Sequence, residues 1–282
     1  VPAKAGTSGN PRKPPEVPAF AGTTVVAKGE PMTITTHHFT ASDGATLAWR
    51  EMGQGRPVVL VHGLFSDAQL NWVKFGHAEK LAAAGFRVIM PDLRAHGQSD
   101  KPHDPAAYPP GILGRDLAEL VAHLGLADFD LGGFSLGSRT SVLAVAQGLS
   151  PRRLVLAGMG LEGLLGWEKR HEFFLEAFDK FDSVSRGDRH WFAVQFMKSQ
   201  KVDRVATRLL LESNSTVTEA MLARLTMPTL VLCGDDDRDN GSAPALTEAL
   251  PHATYEEIPG THTTSVTQKA LGDAMVRFLT AD

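Results

Sequence analysis

The chain has 282 residues, 43% of them hydrophobic, and a formal net charge of −4. That size suits one large globular domain with room for an insertion, and the absence of a Lys/Arg cluster argues against a nucleic-acid partner. No apolar run approaches the roughly 20 residues that span a bilayer, so we expect no membrane span. The single cysteine, Cys233, allows no internal disulfide. This fits a reducing compartment, and we expect a cytoplasmic protein.

Residues 1–31 differ in composition from the rest of the chain, since they hold six of the 17 prolines. They contain no apolar stretch of signal-peptide length. A Pro-rich polar segment buries too little surface to offset the entropy lost on ordering. We therefore expect a flexible arm that carries no chemistry. An upstream extension of the true gene start is the alternative, because the chain does not begin with Met.

From residue 32 onward, short apolar strands alternate with helices. The predicted strands are 33–40, 46–51, 57–62, 86–90, 129–131, 153–157, 229–233 and 254–258. The predicted helices are 72–84, 112–124, 136–148, 244–250 and 266–279. This alternation predicts an α/β fold with a doubly wound, mostly parallel sheet that helices cover on both faces. Ligands of such sheets bind beyond the carboxyl ends of the strands.

The segment 161–225 interrupts this alternation, because it is mainly helical and rich in Phe and Trp. We interpret it as a helical cap insertion and not as an independent domain. The core then comprises residues 32–160 and 226–282. The junction opens at the carboxyl edge of the sheet, so the cap is expected to lie over the ligand site.

A G-x-S-x-G pentapeptide runs from Gly133 to Gly137 and has Ser135 at its centre. A serine in this motif sits on a sharp, strained turn, so the residues two before and two after it must be small. The pentapeptide alone is weak evidence, since a Gly-rich turn with an idle serine reads the same way. The strand before it and the helix after it strengthen the interpretation. We predict that Ser135 is a nucleophile.

Two further segments resemble known patterns. The apolar strand at 57–62 ends in His62-Gly63, and the segment Pro91–Asp100 is similar to D-x-R-G-x-G-x-S. In combination with the pentapeptide, and with Trp72 after the first loop, they resemble the α/β-hydrolase family over about 33–161 and 227–282. One departure is Ala95, which stands where glycine is usual. We expect it to alter a loop and not the chemistry.

The resemblance implies a catalytic triad in the order Ser, acid, His. Four aspartates follow the strand at 229–233, and the family's G-x-x-D spacing selects Asp237 as the acid. Asp235 and Asp236 are expected to cap the loop or face solvent, and Asp239 to pair with Arg238.

The histidine of the triad should follow the last strand. His262 lies there, 25 residues after Asp237, which is a usual family separation. Its rival His252 precedes the strand and so belongs to the opposite edge of the sheet. His62 is tempting as a base, but the family pattern makes it a structural loop residue.

A tetrahedral intermediate needs donors for its negative oxygen. By resemblance, these are the backbone N–H of Leu136, directly after the nucleophile, and that of Leu64, in the loop after His62-Gly63. Phe65 is the next candidate for the second donor.

The resemblance implies a serine hydrolase of the esterase and lipase-like branch, which cleaves carboxylic esters through an acyl-enzyme. We expect small to medium apolar esters as small-molecule substrates, with no metal and no cofactor. Carbon–carbon, lactone or perhydrolase activity, or a non-enzymatic small-ligand receptor, remain alternatives. The candidate pocket residues are Phe65, Phe134, Met159, Phe174, Phe178 and Trp191. Packing of the insertion on the core is the other interpretation of these aromatics.

Overall fold

Eight strands form one sheet in the computed structural model, which describes residues 32–213 and 215–281. They are β1 (Thr35–Thr40), β2 (Thr46–Met52), β3 (Arg56–Val61), β4 (Phe86–Pro91), β5 (Asp130–Phe134), β6 (Leu154–Ala157), β7 (Thr229–Gly234) and β8 (Ala253–Ile258). Their spatial order is β1-β2-β4-β3-β5-β6-β7-β8. The β1–β2 and β2–β4 pairs are antiparallel and all other pairs are parallel. The predicted α/β, mostly parallel sheet is confirmed. The arm predicted at 1–31 lies outside the described residues.

Eleven α-helices lie in the part of the chain that the structure describes. They are α1 (His77–Ala83), α2 (Ile112–His123), α3 (Leu136–Ala146), α4 (Leu161–Leu165), α5 (Trp167–Asp179), α6 (Trp191–Ser199), α7 (Arg204–Glu212), α8 (Glu219–Leu222), α9 (Ala243–Ala249), α10 (His262–Ser265) and α11 (Lys269–Thr280). In these ranges no helix is long and apolar enough to cross a membrane.

Two predicted helices differ from those observed. The helix predicted at 72–84 begins only at His77, because Gly76 adopts a left-handed φ of 77° and separates it from a π-helical turn at 69–73 that holds Trp72. The helix predicted at 266–279 begins only at Lys269, because Gln268 is extended, and the short helix α10 lies before the predicted range. In both cases one residue outside helical geometry interrupts an apolar pattern that continues past it.

The central strand β3 shows why the sheet is buried on both faces. Val59 and Val61 belong to a core cluster that includes residues of α2 and α3, whereas Val58 and Leu60 belong to a second cluster that includes residues of α1 and α11. All four side chains are fully buried. Successive side chains of a strand point to opposite faces, so an uninterrupted apolar run requires helices on both sides. Because the helices cover the two faces, they leave open the edge of the sheet where the carboxyl ends of the parallel strands lie.

Helices α4–α8, here called the inserted helices, lie between β6 and β7. Buried side chains of α5 and α6, with Leu211 of α7, form a third apolar cluster, which also contains Phe65 from the loop after β3. Other buried residues of the inserted helices, such as Leu164 and Leu222, belong to the first cluster. The rings of Phe174 and Phe178 on α5 contact the Phe65 ring with centroids 5.4 and 5.8 Å apart. Residues Met32–Asp282 form one compact unit.

Candidate active site

Ser135 occupies a strained turn between β5 and α3, with φ 55° and ψ −112°. The backbone packs around it with almost no free space. A Cβ atom at Gly137 would lie 2.0 Å from the carbonyl oxygen of Val61, and one at Gly133 would lie 2.3 Å from the carbonyl carbon of Gly137. Both glycines of the pentapeptide are therefore required by close backbone approach, which is the reason the sequence motif implied.

Three predicted side chains meet in a hydrogen-bonded row at the carboxyl edge of the sheet. The Nε2 atom of His262 lies 3.0 Å from Ser135 Oγ, and its Nδ1 atom lies 2.9 Å from Asp237 Oδ2. Because an ionised carboxylate only accepts, Nδ1 carries the proton, and Nε2 accepts one from the serine hydroxyl. His262 is the first residue of α10, and Thr261 caps that helix through a capping box with Thr264.

The loop after β7, here called the acid loop, holds Asp237 and three further aspartates, and its hydrogen bonds fix the position of Asp237. The second carboxylate oxygen of Asp237 accepts the N–H of Asp239 at 3.0 Å, while Asp235 accepts the N–H of Gly260 at 2.7 Å. Asp235 thus ties the acid loop to the loop that carries His262, and Asp236 is exposed. The pairing of Asp239 with Arg238 was predicted wrongly. Asp239 faces Arg170 of α5 at 3.4 Å, because the inserted helices pack over the acid loop.

Electrostatics keep the carboxyl group of Asp237 ionised. Burial by itself raises the pKa of this group, but the hydrogen bond and positive charge of His262, followed by the N–H of Asp239, outweigh it. The pKa therefore lies below its usual value, and an ionised carboxylate faces the imidazole. The rival His252 lies before β8, where its carbonyl accepts the N–H of Thr229 at the opposite edge of the sheet.

His62 is a fully buried loop residue. Its Nδ1 donates to the carbonyl of Gly63 at 2.8 Å, and its Nε2 accepts the N–H of Leu93 at 2.9 Å. Burial lowers the pKa of this imidazole, so the ring stays neutral. Its contacts bind the loop after β3 to the loop after β4, and neither nitrogen is left for proton transfer.

A second buried histidine distinguishes the two candidate oxyanion donors. His96 Nε2 accepts the N–H of Phe65 at 3.2 Å. The N–H of Leu64 has no partner among residues 32–213 and 215–281, and Gly63 places this loop against Ser135. The N–H of Leu136 belongs to the first turn of α3, where no intrahelical acceptor exists. Leu64 and Leu136 are thus the donors left unoccupied beside the serine.

The Pro91–Asp100 segment folds around the buried carboxylate of Asp92. This group accepts the N–H groups of Ala68 and Gln98, each at 2.8 Å, and pairs with Arg50 at 3.1 Å. Ala95, which departs from the family pattern, takes a left-handed φ of 68°. The alanine therefore adopts the conformation that glycine would take there.

A cleft of about 400 Å³ opens beside Ser135 and His262. Two of the predicted pocket residues, Phe65 and Phe174, line it. Phe178 and Trp191 do not, because Phe178 packs behind Phe65 and Trp191 starts α6 away from the cleft. Phe134 and Met159 do not line it either: Phe134 packs against His262 with ring centroids 5.2 Å apart, and Met159 is buried in the core.

Sequence reasoning missed several cleft residues on the inserted helices, namely Arg170, Phe173, Arg189, Phe192, Ala193 and Phe196. The i, i+4 spacing of Phe192 and Phe196 on α6 indicates one common helix face. That spacing does not say which way the face points.

Arg139 connects α3 to the inserted helices from within the core. It lies one helical turn after Ser135, is fully buried, and donates to the carbonyls of Leu164 (2.8 Å) and Ser215. Its guanidinium lies 4.8 Å from the ring centroid of Trp167. The first of the inserted helices and the segment between α7 and α8 are thus held by the helix that starts at the serine.

A family model described as alpha/beta hydrolase fold matches residues 56–191. The chain is 29% identical over 261 residues to a non-heme haloperoxidase of Rhodococcus erythropolis, covering 78% of this chain and 90% of that protein. It is 28% identical over 222 residues to Lipase 1 of Psychrobacter immobilis, covering 71% and 68%. The crystal structure of a hydrolase from Pseudomonas aeruginosa PA01 matches with a TM-score of 0.69 at 23% identity, covering 87% and 98%.

The sheet order and the serine turn, together with these matches, define a class of enzymes with a nucleophile site at the carboxyl edge of a doubly wound sheet. The chain has the α/β-hydrolase fold, and residues 56–191 match the family model, as the resemblance of its motifs implied. Among the residues that the structure describes, no three His, Cys, Asp or Glu side chains gather in a way that would hold a metal ion.

Proposed function

We propose that this protein is a serine hydrolase that cleaves small to medium carboxylic esters through an acyl-enzyme. The observation that carries the proposal is the row Ser135–His262–Asp237, with contacts of 3.0 and 2.9 Å, at the mouth of a cleft. The lipase relative supports ester chemistry. A serine at the nucleophile position is the residue that forms an acyl ester, and water can then hydrolyse it.

In the first half-reaction, His262 first accepts a proton from Ser135 and then donates it to the leaving group. His262 Nε2 takes the proton of Ser135 Oγ while that oxygen attacks the ester carbonyl carbon. The tetrahedral intermediate collapses and expels the alkoxide, which receives the proton from Nε2. Asp237 holds the ring in the tautomer that makes this possible and stabilises the imidazolium. In the second half, His262 deprotonates water, which attacks the acyl carbon, and Nε2 then returns the proton to Ser135 Oγ as the acid leaves.

The oxyanion of each tetrahedral intermediate is stabilised by the backbone N–H groups of Leu64 and Leu136. Both lie beside Ser135 without another partner among the described residues. The Leu136 N–H also stands at the amino end of α3, where the helix dipole favours negative charge. His96 contributes by occupying the Phe65 N–H, so that the loop is held in one conformation.

The inserted helices act as a cap that shapes the acyl site. Phe173 and Phe174 of α5 and Phe192 and Phe196 of α6 supply apolar walls within reach of Ser135. Aromatic walls exclude water from the acyl-enzyme and favour apolar acyl chains.

A series of 4-nitrophenyl esters, from acetate to dodecanoate, tests the proposal with wild-type protein and Ser135→Ala. We expect turnover that peaks at short or medium chains and falls by about 10⁴-fold or more in the variant, because the triad acts as a unit. The thermal unfolding midpoints of both proteins serve as the control for folding. Ester binding without turnover would assign the protein to the receptors instead, and a variant with a tenth of wild-type activity would exclude Ser135 as the nucleophile.

The haloperoxidase relative favours one second activity. If hydrogen peroxide replaces water in the second half-reaction, the acyl-enzyme yields a peracid and free Ser135. Adding hydrogen peroxide to the reaction with 4-nitrophenyl acetate and following peracid-dependent bromide oxidation measures this activity. It must also vanish in Ser135→Ala.

A further inference from the structure

The candidate active site has a charged wall that the proposed ester chemistry leaves unexplained. Arg170 of α5 and Arg189, just before α6, line the same cleft as Ser135 and His262, together with one carboxylate, Asp239. A cleft for purely apolar esters has no use for guanidinium groups. Desolvating a charge without a partner is costly, so such groups near a nucleophile require a reason.

Arg170 is held in place but incompletely paired. Its side chain is 22% exposed, and its guanidinium lies 5.1 Å from the ring centroid of Phe174 and 5.9 Å from that of Phe173. Its single carboxylate contact, to Asp239, is 3.4 Å long. Charge-assisted hydrogen bonds are typically about 2.7–2.9 Å. The other N–H groups of this guanidinium have no acceptor among residues 32–213 and 215–281, so a planar donor fork faces the cleft.

Arg189 has a different role, because it is already paired. It contacts Glu176 at 2.9 Å, and its side chain is 63% exposed. Its charge is therefore screened by solvent and by a partner outside the cleft. Of the two arginines, Arg170 is the one placed to bind a ligand.

The space beside Arg170 continues past the active-site cleft. A second cleft of about 380 Å³ shares Arg170, Phe173, Arg189 and Asp239 with the first, and the charged residues that it adds are Lys169 and Glu162. Arg170 thus stands where the two clefts join. A ligand whose reacting carbonyl lies at Ser135 can place its far end at this junction.

We propose that Arg170 forms an anion subsite and that the substrate is an ester with a carboxylate at the end remote from the scissile carbonyl, such as a half-ester of a dicarboxylic acid. This inference rests on the proposed ester hydrolysis. A guanidinium fork matches a carboxylate with two parallel hydrogen bonds. The active-site cleft has two arginines against one aspartate, which suits a monoanion better than a phosphate dianion.

The direct test compares two 4-nitrophenyl esters with the same acyl chain. One is the 4-nitrophenyl half-ester of adipic acid, whose far end is a carboxylate, and the other is 4-nitrophenyl methyl adipate, whose far end is an uncharged methyl ester. We expect wild-type protein to favour the half-ester by about tenfold in kcat/KM, in keeping with a charged hydrogen bond. Arg170→Gln should abolish this preference by slowing the half-ester alone. The preference should also shrink as ionic strength rises.

Two further variants sharpen the test. Asp239→Asn removes the carboxylate that competes for Arg170, so it should increase the preference for the half-ester, whereas Arg170→Gln should abolish it. Arg208→Gln is the matched control, because Arg208 lies on α7, lines neither cleft and pairs with Asp179 at 2.7 Å. It should leave the preference unchanged. Equal rates of wild-type protein on both esters, or an equal loss on both in Arg170→Gln, would overturn the anion subsite.

A binding measurement separates this inference from the proposed hydrolysis. In calorimetry, Ser135→Ala should bind monomethyl adipate with a lower Kd than dimethyl adipate. The double variant with Arg170→Gln should lose this difference in affinity. If neither 4-nitrophenyl ester is hydrolysed but the binding difference is present, ester hydrolysis fails and the subsite stands. If hydrolysis occurs and the binding difference is absent, the subsite fails alone.

Discussion

The turn around Ser135 and the inserted helices are built on different principles, although both line one cleft. At the turn, an added methyl group on Gly137 would lie 2.0 Å from a carbonyl oxygen. On α5 and α6, by contrast, the cleft is lined by side chains on the helix surface, and Phe192 is 57% exposed. Substitutions at the close backbone contacts of the turn are not tolerated, so the position of Ser135 is fixed. Substitutions of the helix-surface side chains are tolerated, so these side chains can vary with the substrate.

The strongest test of the first region is Asp237→Asn. We expect turnover to fall by about 10⁴-fold, because an amide leaves the imidazole in the wrong tautomer. The matched control is Asp236→Asn, since Asp236 is its exposed neighbour in the same loop. Steady-state kinetics on one chromogenic ester compare the two, and a greater loss at Asp236 would refute the assignment of the acid.

The buried histidine behind the oxyanion loop makes stability depend on pH. Burial, followed by the nearby His62, lowers the pKa of His96 from 6.5 to about 3. Between these values the unfolded chain binds a proton that the folded chain does not, so the free energy of unfolding decreases as pH falls from about 6.5 to about 3. Each unit of pKa difference is worth about 1.4 kcal/mol.

Urea unfolding at several pH values measures this dependence in wild-type protein and in His96→Gln, which cannot titrate. The variant should be less stable near neutral pH, and its stability should change less across the acidic range. Parallel curves for the two proteins would show that the neutral ring of His96 contributes nothing to the pH dependence.

On the inserted helices, substitution of one phenylalanine should reduce stability, and substitution of another should change substrate preference. Phe178→Ala should destabilise the fold by about 3 kcal/mol, since its ring is buried against Phe65. Phe192→Ala should leave the melting temperature nearly unchanged and shift the ratio of long-chain to short-chain ester turnover by up to about tenfold. If Phe192→Ala alters stability but not this ratio, the exposed ring has no part in substrate choice.

The smallest effect concerns Ala95. Replacing it with glycine removes the strain of a left-handed alanine, about 1 kcal/mol, but it also removes a buried methyl group and adds freedom to the unfolded chain. These contributions nearly cancel, so we expect stability to change by less than about 1 kcal/mol and turnover to stay the same. Thermal unfolding and one ester assay suffice, and a clear loss of turnover would show that this loop affects the chemistry.

The comparison also explains what the sequence could predict. Ser135 and His262 were found because their motifs encode backbone geometry, namely a turn that needs glycine and a loop after a strand. The preference for Leu64 over Phe65 rested on resemblance alone, since the contact that occupies the Phe65 N–H comes from His96, which is distant in the chain. Phe178 was predicted to line the pocket because aromatic composition does not reveal how a helix is rotated. Arg170 carried no signal at all, as a charged helical residue resembles any solvated one.

Arg139 has a consequence for how the fold tolerates exchange. It holds Leu164 on the first of the inserted helices and Ser215 between α7 and α8, so two points far apart in the inserted segment are fixed beside one guanidinium. The residues between these two attachment points then form a replaceable unit, whose length and sequence can diverge while the two points stay fixed. We expect a chimaera that carries a foreign stretch between them to keep the arrangement of Ser135, His262 and Asp237 and to change which substrates are preferred.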